Sequence, residues 1–127
     1  MTTENPGGRL PAGERRRHQR FKVPERTLAI TPNIIGQIID ISVGGCELKY
    51  IENNGPLDSE GTMDILMHSG SFFMEQVPIA LAWQDRPQSS ALSNIIIRKI
   101  GVRFSDLTHD QEEKIGYFIR NHTLGVA

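Results

Sequence analysis

Apolar residues at every second position are the feature that most constrains the fold of this chain. The clearest case runs from Val77 to Trp83, where Ile79 and Leu81 continue the series and alanine or proline stands between them. Such alternation is typical of a β-strand with one buried face. Turn signals separate shorter segments of the same kind, which lie at 26–31, 36–42, 46–51, 62–68 and 94–104. About five to seven short strands in hairpin-like succession predict an antiparallel sandwich or small barrel.

One helix is predicted close to the end of the sequence. Thr108 and Gln111 have the spacing of a capping box, in which each side chain bonds the backbone N–H of the other residue. Acidic residues follow Thr108 and basic residues come later, as the helix dipole favours, and Gly125 is the predicted stop. The apolar stripe expected to lie against the barrel consists of Ile115, Phe118 and Ile119.

Length and composition are those of one globular domain, with 127 residues of which 38% are apolar and 23% charged. Residues 1–13 are rich in Pro and Gly and are predicted to be a flexible leader, followed by a domain at 14–122 and a tail at 123–127. The one cysteine, Cys46, excludes an internal disulfide and fits a reducing, cytoplasmic location. No run of about 18 apolar residues is present, so we expect no membrane span.

Positive charge is concentrated at the start of the sequence. Residues 1–26 hold seven basic and three acidic residues, a formal charge of +4, so the remainder carries −5 of the total of −1. Four of the eight residues at 14–21 are arginine, whose planar fork of donors grips phosphates and base edges in pairs. This asymmetry predicts an anionic partner at one place. A solvated tail that keeps the protein in solution is the alternative interpretation.

Two arginines in this segment are spaced to act together. Arg16 and Arg20 are four residues apart, which places both side chains on one side of the segment, whether it is extended or helical. Two guanidinium groups on one side can clamp two phosphates, or one phosphate and the O6/N7 edge of a guanine. The pair is therefore a candidate nucleotide clamp.

A second group, Asp40-x-Ser42-x-x-Gly45, lies where a predicted strand runs into a tight turn. The Asp40 carboxylate can accept both the N1–H and the N2–H of guanine, and the Ser42 hydroxyl can donate or accept. Without a Cβ, Gly45 permits positive φ and a close approach of a flat ligand to the backbone. The alternative is a hairpin turn in which Asp40 and Ser42 bond only to their own backbone.

No constellation for catalysis is present, so we expect neither an enzyme nor a bound cofactor. The four histidines have no metal-ligand spacing with one another or with Cys46, and no metal site is predicted. Phosphate-binding loops, dinucleotide fingerprints and serine-nucleophile motifs are absent. Cys46 has no obvious base beside it and is interpreted as a small buried hydrophobic residue.

Together these segments resemble the PilZ domain family, bacterial receptors for the second messenger cyclic di-GMP. The sequence RRHQR at 16–20 is similar to the family's R-x-x-x-R, and DISVGG at 40–45 matches its D-x-S-x-x-G. IGVRFSDL at 100–107 is similar to a late strand of the family, and the resemblance covers roughly residues 14–122. It implies a mainly β fold, a six-stranded antiparallel barrel with a C-terminal helix.

The resemblance also implies roles for individual residues. Arg16 and Arg20 would embrace the phosphates and a guanine of cyclic di-GMP, while Asp40 and Ser42 would meet a guanine edge and Gly45 would give clearance. The residue before the first motif influences in some members whether one ligand or a stacked pair is held. Here that residue is Arg15, so we include it among the ligand-binding residues. Trp83 is interpreted either as a core residue that continues its strand's apolar row, which we favour, or as an aromatic wall of the site.

Two other functions remain open at this point. The first is a PilZ-fold adaptor that binds a protein partner without nucleotide, and a downstream protein partner of unknown identity is expected in either case. The second is a general nucleic-acid binder. It is disfavoured because only eight residues are aromatic and they do not interleave with the basic segment, so we expect no DNA or RNA partner.

Overall fold

The computed structural model describes residues 18–52, 57–85, 88–89 and 95–127. The predicted leader at 1–13, together with Arg15 and Arg16, lies outside the described residues. The strands are β1 (Phe21–Lys22), β2 (Thr27–Ile30), β3 (Ile35–Ser42), β4 (Gly45–Ile51), β5 (Glu60–Met67), β6 (Phe73–Gln84), β7 (Gln88–Ser89), β8 (Ile96–Phe104) and β9 (Gly125–Val126), and the helix is α1 (His109–His122).

Six of these strands form a closed barrel. They run in the order β2-β5-β6-β8-β4-β3, each pair is antiparallel, and the pairing of β2 with β3 closes the ring. Beyond the ring, β1 pairs with the second half of β3, β9 pairs with β1, and β7 pairs with the start of β8. The prediction of a six-stranded antiparallel barrel with a C-terminal helix is confirmed.

The barrel interior receives apolar side chains from every strand of the ring, because alternate residues of each strand face inward. Val77 and Ile79 of the most regular predicted strand are 0% and 3% exposed. Arg98, which interrupts the apolar row of β8, forms an ion pair with Glu52 at the edge of the barrel. The other buried core positions of the ring are Ala29, Ile38, Ile41, Cys46, Leu48, Tyr50, Met63, Ile65, Met74, Ile100 and Val102.

The helix packs on this core through the predicted apolar stripe. Ile115 and Phe118 are buried, and the ring of Phe118 lies 4.8 Å from that of Phe72. The predicted capping box is confirmed, since the Thr108 hydroxyl accepts from the Gln111 backbone N–H at 3.1 Å and Oε1 of the Gln111 side chain accepts from the Thr108 backbone N–H at 2.9 Å. No helix in the described part of the chain is long and apolar enough to span a membrane.

The end of the helix differs from the prediction. Helix α1 stops at His122, with Thr123 as its C-cap, and the Thr123 hydroxyl donates to the Ile119 carbonyl at 2.6 Å. Gly125, the predicted stop, lies instead in β9 with a φ of 125°. The chain leaves the helix earlier because residues 124–127 turn back to hydrogen-bond β1, a long-range pairing that helix signals do not reveal.

Candidate ligand-binding cleft

A cleft of about 730 Å³ lies on the outer face of the barrel. Its walls come from the residues before β1, the turn between β3 and β4, the end of β6, and the second half of β8. Its volume is in the range of small-molecule sites, about 300–1,000 Å³. The side chains that give it chemical character are His18, Arg20, Ser42, Trp83, Asp85 and Arg103.

A β-bulge in β3 turns two motif residues toward this outer face. Ile38 pairs with Leu48 and Asp40 pairs with Glu47, so Ile39 is an extra residue between the two pairs. Without the bulge, Ile38 and Asp40 would share a face, because residues two apart in a strand do so. With it, Ile38 and Ile41 both enter the core, and Asp40 and Ser42, on the other face from Ile41, lie beside Arg20 and the cleft although little of them is exposed.

A second bulge, in β6, turns Trp83 toward the outer face of the barrel. Leu81 pairs with Val102 and Trp83 pairs with Gly101, which makes Ala82 the extra residue. Since cross-strand partners point to the same face, and Val102 points into the core, Trp83 lies outside it. The favoured interpretation of Trp83 as a core residue is therefore wrong, and the indole forms a wall of the cleft.

The glycine opposite Trp83 makes room for the indole. A Cβ on Gly101 would lie 2.1 Å from Nε1 of Trp83, which is well inside van der Waals contact. Only glycine at this position lets the ring lie against the β8 backbone. The cleft wall thus depends on a residue that no motif marked in the sequence.

Arg20 and Asp40 form an ion pair at the side of the cleft. Nη1 of Arg20 lies 2.6 Å from Oδ1 of Asp40, and their side chains are 13% and 11% exposed. Nε of Arg20 is buried and has no hydrogen-bond partner among the described residues. Arg20 lines the cleft and Asp40 does not, so the carboxylate holds the guanidinium in place from behind.

A second ion pair lies next to the first. Glu47 is the cross-strand neighbour of Asp40, and like charges in that position repel each other. Each carboxylate has its own cation, since Nζ of Lys99 lies 3.1 Å from Oε2 of Glu47. The hydrogen bond and the charge of Glu47 raise the pKa of Lys99 above its usual value.

Ser42 stabilises the turn between β3 and β4. Its hydroxyl accepts from the Gly44 N–H at 3.1 Å and donates to the Gly45 carbonyl at 3.4 Å. This is the turn geometry that the sequence left open as an alternative, and Ser42 also lines the cleft. Asp40 does not follow the same alternative, because its Oδ1 bonds to Arg20 instead.

The two glycines of this turn have close neighbours, which are backbone at Gly45 and a side chain at Gly44. A Cβ on Gly45 would lie 2.1 Å from the carbonyl oxygen of Val102, so β4 and β8 approach each other too closely for any side chain. The glycines with positive φ in the described residues are Gly70 and Gly125, so Gly45 does not use the positive φ that a glycine permits. A Cβ on Gly44 would lie 2.6 Å from Cδ2 of His18, whose ring rests on this turn.

Three of the six predicted ligand-binding residues, Arg20, Ser42 and Gly45, line the cleft together, and Asp40 joins them through its ion pair. Sequence reasoning missed Arg103, an exposed residue of β8 that also lines the cleft and has no ion pair with any described residue. Its position next to core residue Val102 in a predicted strand was the signal that could have placed it outside. Cys46 is fully buried as predicted, and desolvation raises the pKa of its thiol.

Residues 14–121 match the PilZ domain family. The fold is similar to that of the PilZ domain of YcgR from Escherichia coli with c-di-GMP, with a TM-score of 0.63 and 17% identity over 85% of this chain and 91% of that chain. No protein of curated function matches the chain.

Two further structures are similar at comparable identity. The K. pneumonia MrkH–c-di-GMP complex has a TM-score of 0.63 and 16% identity over 84% of this chain and 50% of that chain, so the present chain spans half of MrkH. The Legionella protein Lpg0364 has a TM-score of 0.51 and 19% identity over 80% of this chain and 89% of that chain. At such identities the similarity shows a shared fold. The match over residues 14–121 shows more: this chain belongs to the PilZ domain family.

Proposed function

We propose that this protein is a cytoplasmic receptor for cyclic di-GMP, that it binds the nucleotide in the outer cleft, and that it is not an enzyme. The observation that carries the proposal is the position of Arg20, a guanidinium group held by Asp40 at the side of a cleft whose opposite wall is Trp83. Family membership and the c-di-GMP in the solved structures of YcgR and MrkH support the choice of ligand.

The chemistry of the cleft suits a ligand with two guanines and two phosphates. An arginine fork can bond a phosphate or the O6/N7 edge of guanine with two parallel hydrogen bonds, and we assign this role to Arg20 and Arg16. Arg103 extends the positive charge along the cleft and would contact a phosphate. The exposed part of the Trp83 indole offers a face for base stacking, with a contribution of about 1–3 kcal/mol per base.

The main role of Asp40 in this proposal is to orient Arg20 through Oδ1. Because Asp40 lies behind Arg20 and does not line the cleft, its second carboxylate oxygen would accept from the N1–H or N2–H of a guanine only if the base reaches past Arg20. Ser42 would present its hydroxyl from the turn, and Gly45 would leave the backbone beside it open to a flat base. Arg15, which precedes the first motif, would stack on a second nucleotide if a pair is bound.

Signalling would follow if nucleotide in the cleft changes the surface offered to a downstream protein. A nucleotide-free adaptor is the second candidate function. It is favoured by one observation, since Arg20 and Asp40 already satisfy each other and need no ligand for charge balance. The two functions differ in whether the cleft takes up nucleotide at all.

Isothermal titration calorimetry with cyclic di-GMP separates these functions. We expect binding at micromolar or lower Kd, about −8 kcal/mol or better, and a loss of at least tenfold in Arg20→Ala. Arg103→Ala should bind more weakly and lose affinity less steeply as salt is raised, because one phosphate contact is missing. Arg120→Ala, an exposed arginine on α1, is the matched control and should bind as wild type. Absence of heat with the wild type would leave the adaptor function.

A further inference from the structure

Strand β9 is attached to the segment that carries Arg20. Phe21 pairs with Val126 and Lys22 with Gly125, in antiparallel register. The Ala127 N–H donates to the carbonyl of Arg20 itself, at 3.0 Å. The peptide group from which the Arg20 side chain extends is therefore held directly by β9.

These hydrogen bonds are the main attachment of β9. The Leu124 N–H adds a bond to the Lys22 carbonyl at 2.8 Å. The apolar side chains of this segment remain in solvent, since Leu124 is 66% and Val126 57% exposed. A two-residue strand without buried side chains gains little from the hydrophobic effect, so its pairing depends on backbone bonds.

β1 is equally short, and it is fixed from two sides. On one side β3 pairs with Phe21 and Lys22, and on the other side β9 does. Lys22 is the partner of Asp40 in β3, so the same short strand aligns Arg20 with the carboxylate that holds it. Loss of β9 would leave the arginine segment attached to the barrel along one edge.

We propose that β9 is a positioning strand for the cleft: by pairing with β1 it fixes the backbone of Arg20 and so pre-organises this arginine for ligand. The proposal rests on the proposed nucleotide-binding function and adds residues 124–127, which lie beyond the part that matches the family. Pre-organisation raises affinity because less conformational freedom is lost on binding. Coupling is reciprocal, so occupancy of the cleft must strengthen the β1–β9 pairing that follows helix α1.

A proline at position 124 tests the hydrogen bond without altering the cleft. Leu124→Pro removes the N–H that bonds Lys22, and Thr123 before it has the extended conformation (φ −92°, ψ 164°) that a following proline favours. Leu124→Ala removes the same exposed side chain but keeps the N–H, and it is the matched control. We expect Leu124→Pro to weaken cyclic di-GMP binding about three- to tenfold and Leu124→Ala to bind as wild type. Equal affinity of both variants would overturn the proposal.

Adding Leu124→Pro to the Arg20→Ala variant distinguishes an effect on Arg20 from general damage to the fold. If β9 acts through Arg20, Leu124→Pro adds no further loss of affinity to Arg20→Ala, whereas general damage to the fold would add its full effect. Ala127→Pro, which removes the bond to the Arg20 carbonyl, supplies a second variant with the same expected result. Additive losses in the double variants would contradict a positioning role.

A measurement without nucleotide distinguishes this inference from the proposed function. The Arg20 Nε–H is buried, so we expect its hydrogen to exchange slowly with water, as NMR can follow. Leu124→Pro should accelerate that exchange, and Leu124→Ala should not. If the wild type fails to bind cyclic di-GMP, the proposed function fails, and this exchange rate still decides whether β9 positions Arg20. An unchanged exchange rate in Leu124→Pro would refute the positioning role.

Discussion

The ion pair beside the cleft makes a quantitative prediction for stability. Asp40→Ala removes the carboxylate and leaves the Arg20 guanidinium, only 13% exposed, without its partner. Breaking a buried pair costs about 3–5 kcal/mol, and an exposed pair contributes about 0–1 kcal/mol. Because the cleft admits water to one side of Arg20, we expect a value between these two ranges, about 2–3 kcal/mol.

Thermal and urea unfolding of matched variants measure this loss. For a domain of this length, 2–3 kcal/mol corresponds to a fall in Tm of about 10 °C. Asp85→Ala is the control, because Asp85 is an exposed acid of the same cleft and has no ion pair with any described residue. A fall in Asp40→Ala no larger than in Asp85→Ala would show that the pair behaves as a surface contact.

A double-mutant cycle isolates the interaction between the two side chains. Arg20→Met leaves Asp40 beside its neighbour Glu47, so this single variant should also be destabilised. The combination of Arg20→Met with Asp40→Ala should recover part of the loss, with a coupling of about 2 kcal/mol. A coupling below about 0.5 kcal/mol would refute the reasoning that these buried charges depend on each other.

Three further outcomes are expected from the same geometry. Gly45→Ala places a Cβ 2.1 Å from a backbone carbonyl of β8, and it should lower the free energy of unfolding by about 3 kcal/mol or prevent folding, as followed by circular dichroism. Gly101→Ala displaces the Trp83 indole, so the fluorescence emission should shift while most of the stability is kept. The raised pKa of Lys99 stabilises the fold fully below its unfolded value of 10.5. The difference in stability between wild type and Glu47→Gln should therefore be constant from pH 7 to about 9 and decline as the pH rises through 10.5 and the higher pKa of folded Lys99.

Controls for these variants are available within the chain. Gly61→Ala, in β5, adds a Cβ that meets nothing within 4 Å, so it should unfold close to wild type. A loss in Gly61→Ala as large as in Gly45→Ala would contradict the steric argument. If Gly101→Ala left the emission spectrum unchanged, the indole would not lie where the cleft requires it. A wild-type advantage over Glu47→Gln that did not decline as the pH rises past 10.5 would show another origin than the Lys99 ion pair.

Local sequence patterns were sufficient to predict the barrel and its helix. Alternation between Val77 and Leu81 places side chains on two faces by geometry alone, and the Thr108–Gln111 capping box is formed by residues three apart. Such signals depend only on residues that are close in the sequence. They can therefore be interpreted without knowing which strands pair.

The details of the cleft depend on contacts between residues that are far apart in the sequence, and local patterns do not predict such contacts. The bulges at Ile39 and Ala82 shift the alternation by one residue, and both arise from the register with the neighbouring strand. Trp83 was assigned to the core for this reason. The pairing of Arg20 with Asp40 joins residues on separate strands, and Gly45 is required by β8 rather than by a turn conformation. Pairings across the sheet therefore limit what sequence patterns predict here.

Trp83, the one tryptophan of the chain, allows the most direct test of the central claim. Its indole lines the cleft opposite Arg20, so its fluorescence reports on this site and on no other. Titration with cyclic di-GMP should give a saturable change in Trp83 emission with the same Kd as calorimetry, and Arg20→Ala should lose both signals. Heat of binding without any change in Trp83 emission would place the ligand elsewhere on the protein and contradict the account.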